Sequence, residues 1–215
     1  MKPKRKMISL LLCAAMLLSF CPTSVFAEAP AQDGGVAIGA SGGSIQYIVR
    51  SWNGSEVTEE TKDISDYTEI TSTNLPTDWN TENGGYYVVT GEVNLSERVT
   101  VTGEVHLILT DNCALTASKG ISVNEGNSLT IYATSEGESM GKLTAMAEMD
   151  DNFLSNAGIG GNDGYSGGTI TIHGGEIAVT VTGGGAGIGG GYACRLPCVF
   201  RHLRRTKHQS KQANR

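Results

Sequence analysis

Six aliphatic pairs recur at one offset of 22 residues, and nothing else in this 215-residue chain restricts its fold so tightly. Val93 falls on Leu115, Leu95 on Ala117, Val99 on Ile121, Val101 on Val123, Leu107 on Leu129 and Leu109 on Ile131. Within each copy the apolar residues alternate with polar ones in short bursts, and a period of two belongs to strands rather than helices. Three short strands per 22-residue turn, joined by polar or glycine corners, predict a β-solenoid whose equivalent residues stack on the neighbouring coil. The expected fold class is all-β: a right-handed parallel β-helix of about four short coils. An antiparallel sandwich is the competing arrangement, because alternation alone does not set strand direction.

The third and fourth coils are expected to carry insertions. Leu143 and Ala145 take the first-strand place, Ala157 to Gly161 (AGIGG) the second, and Ile170 and Ile172 the third, with Met146 to Asn156 bulging between strands. A fourth coil begins at Ile177, Val179 and Val181 and reaches Ala186 to Gly190, where AGIGG recurs after 29 residues. Gly fills 15 of the 36 positions from Ala157 to Tyr192, which fits tight corners and close approach between coils rather than disorder.

The flanks differ in composition. Residues 1–27 carry Lys2, Lys4, Arg5 and Lys6 ahead of the apolar run Met7 to Phe20, and Val25-Phe26-Ala27 offers small residues for cleavage. This pattern reads as a secretory signal peptide, so the chain is expected to be secreted to the extracellular space or cell surface. Residues 28–85 read as a disordered polar leader and N-terminal cap region, with short strands at Tyr47 to Val49 and Tyr67 to Ile70. Residues 86–192 hold the repeats. In residues 193–215 alternation, Gly and acidic residues stop together, and the basic tail that follows reads as out of frame and non-native.

From Glu28 to Tyr192 the chain has five basic against 22 acidic residues, a net charge of −17. Such a segment repels nucleic acid and anionic lipid, and no transmembrane segment is expected in the mature chain. Of the five cysteines, Cys113 alone falls in a strand pattern. It reads as a small buried hydrophobe, and no disulfide framework is available to staple the fold.

The succession YYVVTGEVNLSERVTVTGEVHLILTDNCALTASKGISV, then NSLTIYA, GKLTA, AGIGG and SGGTITIHGG, resembles the secreted Gly-rich β-helix repeat proteins on the surfaces of anaerobic Gram-positive bacteria. That group is similar in turn to pectate-lyase-like right-handed β-helices. The resemblance covers Tyr86 to Tyr192 and implies architecture more than activity; many such proteins are treated as adhesins or carbohydrate-binding proteins. Further AGIGGGYGGSGGTITI coils would continue the pattern, but after Tyr192 this chain runs ACRLPCVFRHLRRTKHQSKQANR instead.

Candidate chemistry is sparse. Glu148, Asp150 and Asp151 cluster in the third-coil insertion, with Asp163 in the next one, and such a loop could hold calcium, the one cofactor the sequence admits. No Gly-x-Ser-x-Gly, His-Glu-x-x-His or phosphate-binding loop ending in Lys is present, so no catalytic residue is assigned. His106 and His173 fall at polar, outward positions and are expected to be solvated. Sugar rings stack on exposed aromatics, and Tyr132 and Tyr165 are the expected platforms; Trp79 and Tyr86 serve equally well as a lid on the N-terminal end of the solenoid. Thr100, Thr102, Thr169, Thr171, Thr180 and Thr182 hint at a flat threonine array. The chain is therefore expected to be a non-catalytic glycan-binding or adhesin-like display solenoid, its partners extracellular or cell-wall polysaccharide or a host surface. A calcium-assisted polysaccharide lyase or hydrolase is the alternative.

Overall fold

The computed structural model describes residues 43–149, 155–193 and 199–202. Strand β1 (Ile45–Trp52) and strand β2 (Val57–Ile64) form an antiparallel hairpin with Ile45 opposite Ile64 and Trp52 opposite Val57. After them come β3 (Thr68–Ile70), β4 (Asp78–Asn80) and β5 (Tyr86–Val89). A three-strand circuit then repeats. Its copies are β6 (Glu92–Leu95), β7 (Val99–Thr102) and β8 (Glu104–Leu109), then β9 (Ala114–Ala117), β10 (Ile121–Ser122) and β11 (Ser128–Ala133). They continue as β12 (Lys142–Ala147), β13 (Ile159–Gly160) and β14 (Thr169–Ile172), then β15 (Glu176–Val181), β16 (Ile188–Gly189) and β17 (Val199–His202). No α-helix occurs among the described residues, and no helix there is long and apolar enough to cross a membrane.

From β4 onward each strand pairs in parallel with the strand three places later. Three sheets result: sheet I is β6-β9-β12-β15, sheet II is β4-β7-β10-β13-β16, and sheet III is β3-β5-β8-β11-β14-β17. The chain visits them in rotation, as a β-solenoid does. Val93 lies beside Leu115, Leu115 beside Leu143 and Leu143 beside Ile177 in sheet I; Val99 lies beside Ile121 and Ile121 beside Ile159 in sheet II. Parallel strands, rather than an antiparallel sandwich, account for the alternation.

Sheet III departs from the uniform 22-residue offset. Leu129 pairs with Val105 and Ile131 with Leu107, not with Leu107 and Leu109. The cause is the corner before the third strand: Gly103 alone separates β7 from β8, whereas Val123 to Asn127 intervene between β10 and β11. Part of that extra length is made up by the shorter β10, leaving a slip of two residues. An even slip keeps every side chain on its own face, so the inward aliphatics still stack.

The inward core runs from Trp79 and Tyr87 at the N-terminal end through Val93, Leu95, Val99, Leu107, Leu115, Ile121, Leu129, Ile131 and Leu143, each at most 1% exposed. Burying each aliphatic of this kind is worth about 1.5–3 kcal/mol. Trp79, in the terminal strand of sheet II, stacks on Tyr87 at 5.5 Å, and its indole N–H donates to the Pro76 carbonyl at 2.9 Å; Tyr86, the other expected lid residue, instead stacks on His106 at 4.4 Å in the outer cluster. Cys113 is 1% exposed, and burial pushes its thiol pKa up, away from reactivity. Packing thins toward the last circuit, where Ile177, Val179 and Ile188 are only partly buried.

Glycines set the closest approaches. A Cβ on Gly160 (φ +139°) would stand 1.9 Å from the Gly189 carbonyl oxygen one circuit on, which no side chain survives. The polar stretch before Tyr86, expected as leader and cap, contributes four strands, the hairpin among them. VTEETKDI of β2 has apolar residues only at its ends and shows no buried face; it becomes a strand by pairing with β1. At the other end β17 extends sheet III beside β14. The signal segment, the Glu28 to Gly43 leader before Gly43, Cys194, Cys198 and the tail after His202 lie outside the described residues.

Candidate functional site

Val88, Ile108 and Tyr132 stand side by side on the outer face of sheet III, with His173 next in line. The sequence expectation that Tyr132 points away from the inward core holds, but Tyr132 is 7% exposed because the β1–β2 hairpin covers it. Tyr47 meets the Tyr132 ring edge-on at 4.7 Å, and His173 stacks on it at 4.9 Å, the planes 1° apart. No open ring face is left for a sugar. The two histidines are likewise outward yet covered, a correction to the solvated placement. His173 is buried, and His106 Nδ1 lies 3.2 Å from the Tyr132 hydroxyl. Burial lowers both imidazole pKa values, opposed at His106 by Glu104, and raises that of Tyr132 to about 12.

Arg50, on the hairpin and 3% exposed, fastens this cover. Its backbone N–H donates to His173 Nδ1 at 3.0 Å and its Nε–H to Glu59 at 2.8 Å; its two terminal nitrogens donate to the His173 carbonyl and to Glu136. The seam is structural, and sequence reasoning missed it. One signal was present. Val88-Val89, Leu107-Ile108-Leu109 and Ile131-Tyr132-Ala133 break alternation with consecutive apolar residues, as strands buried on both faces do.

A second cluster forms where sheet II turns toward sheet III. Tyr165, in the corner after β13, is 61% exposed, and its N–H donates to the Asn162 carbonyl at 2.9 Å. Tyr192, in the corresponding corner after β16, is 57% exposed. The two corners are tied by Gly164 N–H to the Tyr192 carbonyl at 2.8 Å and Gly191 N–H to the Tyr165 carbonyl at 3.1 Å. Tyr192 was read only as the last residue of the repeat; its position four after Ile188, against six after Ile159 for Tyr165, hid the correspondence.

The candidate calcium carboxylates are placed as follows. Glu148 is exposed beside Met149. Asp163 Oδ1 accepts the Ser155 N–H at 3.0 Å while its own N–H donates to Asn156 Oδ1 at 2.9 Å, so Asp163 braces the end of the third-circuit insertion. Asp150 and Asp151 lie outside the described residues. Among the described residues no three His, Cys, Asp or Glu side chains converge. The threonines do not form one array: Thr100 and Thr102 are on sheet II, Thr169 and Thr171 on sheet III, and Thr180 on sheet I.

Next to this corner lies a pocket of about 470 Å³ lined by Arg98, Ser118, Lys119, Ala147, Glu148, Met149 and Asn156. Arg98 spans three circuits: Nε–H donates to Asn162 Oδ1 at 2.8 Å, one terminal nitrogen to the Lys119 carbonyl at 2.7 Å, and the other to the Gly160 carbonyl at 3.5 Å. Asn162 therefore touches both the guanidinium and the Tyr165 backbone. The chain matches no protein-family model, no curated protein and no solved structure.

Proposed function

We propose that the chain is a non-catalytic secreted or cell-surface protein, a right-handed parallel β-helix similar to the Gly-rich repeat proteins, which displays a glycan-binding corner. One observation carries the reading: Tyr165 and Tyr192, both more than half exposed, sit on hydrogen-bonded successive corners of a rigid parallel stack. Exposed aromatic rings held by a fixed backbone offer apolar faces to sugar C–H groups at little entropic cost. Tyr132, the other expected platform, is covered by the hairpin and takes no part.

A glycan array of neutral and acidic polysaccharides, run beside an assay for unsaturated product, tests this. Binding by the full chain should fall at least tenfold in Tyr165→Ala, about 1.4 kcal/mol, with the melting temperature unchanged because the ring is solvent-facing. Retained binding in Tyr165→Ala and Tyr192→Ala together would sink the corner as the site. Unsaturated product that disappears in Asp150→Ala would instead establish the lyase alternative.

A further inference from the structure

We propose that the pocket around Arg98 is an anion site that takes the carboxylate of a small organic acid, held by the Arg98 guanidinium. The reading does not depend on the tyrosine corner, since no tyrosine lines this pocket.

Charge pairing singles Arg98 out. Between Glu28 and Tyr192 the other four basic side chains are each held by a carboxylate: Arg50 by Glu59 and Glu136, Lys62 by Glu60, Lys119 by Glu97 and Lys142 by Glu176. Arg98 is bound only to neutral oxygens among the described residues, those of Asn162, Lys119 and Gly160. In a segment of net charge −17, a partly buried cation without a carboxylate partner among the described residues is the opposite of what chance pairing would produce.

The donor arithmetic then leaves room for a ligand. A guanidinium has five N–H donors, and Arg98 directs one from Nε and one from each terminal nitrogen at its neighbours, the last at a long 3.5 Å. Two N–H groups of the terminal nitrogens remain to meet an anion. Gly120, at φ +74°, lets the circuits approach closely beneath the group: a Cβ there would stand 2.4 Å from the Gly158 carbonyl oxygen and 2.7 Å from an Arg98 terminal nitrogen. Lys119 adds a donor at the rim while remaining paired with Glu97 at 2.8 Å. Burial lowers the Arg98 pKa to about 10, a shift that a bound carboxylate would oppose. Glu148 lines the same pocket without an ion pair to Arg98, and is the chain's own competitor for it.

Titration calorimetry of the full chain at low salt with sodium glucuronate, glucose and inorganic phosphate tests the assignment. Glucuronate should bind saturably and glucose should not. Phosphate, which a guanidinium also accepts, should compete with glucuronate for the site. Arg98→Lys keeps the charge but loses the fork, and should weaken glucuronate about tenfold; Glu148→Gln, which disturbs no contact of Arg98, should tighten it several-fold. Because Arg98 also ties circuits together, the Glu148→Gln result keeps the proposal falsifiable if Arg98 variants unfold. Absence of saturable glucuronate binding, equal binding of glucose, or weakening by Glu148→Gln would overturn it. So would binding seen only after Asp150 and Asp151 are changed to Asn, since the pocket would then serve an internal carboxylate. Tyr165→Ala should leave glucuronate binding intact, which separates failure of this site from failure of the glycan corner.

Discussion

Leu107 and Ile108 are neighbours in β8, both 0% exposed, yet one faces the inside of the three-sheet stack and the other faces out. Leu107 is covered by its own repeat, beside Tyr87 on one side and Ile131 on the other. Ile108 lies beside Val88 and Tyr132, and what shields this row from water is a hairpin whose residues lie at least 24 positions earlier in the chain. Inside, each circuit supplies the cover for the next. Outside, one non-repeating element covers several circuits at once, and burial depends on its staying docked.

Replacing Leu107 by Ala should therefore give the largest effect, about 2–5 kcal/mol on global unfolding, because the fixed stack cannot collapse onto the hole. Ile108→Ala removes a residue of equal volume but should couple to the hairpin. A double-mutant cycle with Tyr47→Ala should show an interaction of about 0.5 kcal/mol or more for Ile108 and none for Leu107. Equal coupling at both positions would erase the distinction between the two faces. Next in size is Arg50→Ala, at about 2 kcal/mol for loss of charge-assisted hydrogen bonds, a value already reduced because Glu59 and Glu136 reach solvent. The loss should be local: amide exchange should rise across Ile45 to Ile64 while Val93 to Leu143 keep their protection. Loss of protection throughout would mean that the hairpin is integral to the stack.

The same contrast explains what could be read from residues alone. Inward positions such as Val93, Leu115 and Leu143 announce themselves because the pattern is periodic and the partner is the next copy. Sheet and register in the later circuits followed from that, although the third-circuit insertion, expected from Met146, starts later because Met146 and Ala147 stay in β12 beside Thr180 and Val181. The two-residue slip in sheet III escaped because periodicity sees faces, and a slip of two changes none. Tyr132 was placed on the right face but with the wrong exposure, since nothing periodic says that VTEETKDI will pair with β1 and lie over it. Arg50 and His173, 123 positions apart, share no local pattern at all. In the candidate sites, Tyr165 was found by residue type, whereas Tyr192 and the Arg98 pocket needed the stacking of corners that only coordinates supply.

The smallest expected effect is also the sharpest test of what holds the outer cover, because it uses protons alone. His173 Nδ1 accepts the Arg50 N–H, so the neutral ring carries its proton on Nε2 and a second proton must go to Nδ1, breaking that bond. Burial, aided by the nearby charges of Arg50, His106 and Lys62, lowers the folded pKa below the unfolded value near 6.5. The unfolded or undocked ring therefore binds the proton first. Docking free energy is fully present above about pH 6.5 and is lost as the pH falls from there through the folded pKa. His106 shifts the same way, with Glu104 resisting, so it should add to the loss rather than cancel it. Between pH 7.5 and 5.5, above the range in which ordinary carboxylates take up protons, the opening of Ile45 to Ile64, measured by exchange corrected for intrinsic rates, should increase a few-fold. Protection of the inward core, where no histidine or carboxylate packs among Leu107, Leu129 and Leu143, should not change. His173→Gln should flatten most of the profile. A profile unchanged by that substitution would shift the docking of the hairpin from the Arg50–His173 contact to the Tyr47–Tyr132 packing alone.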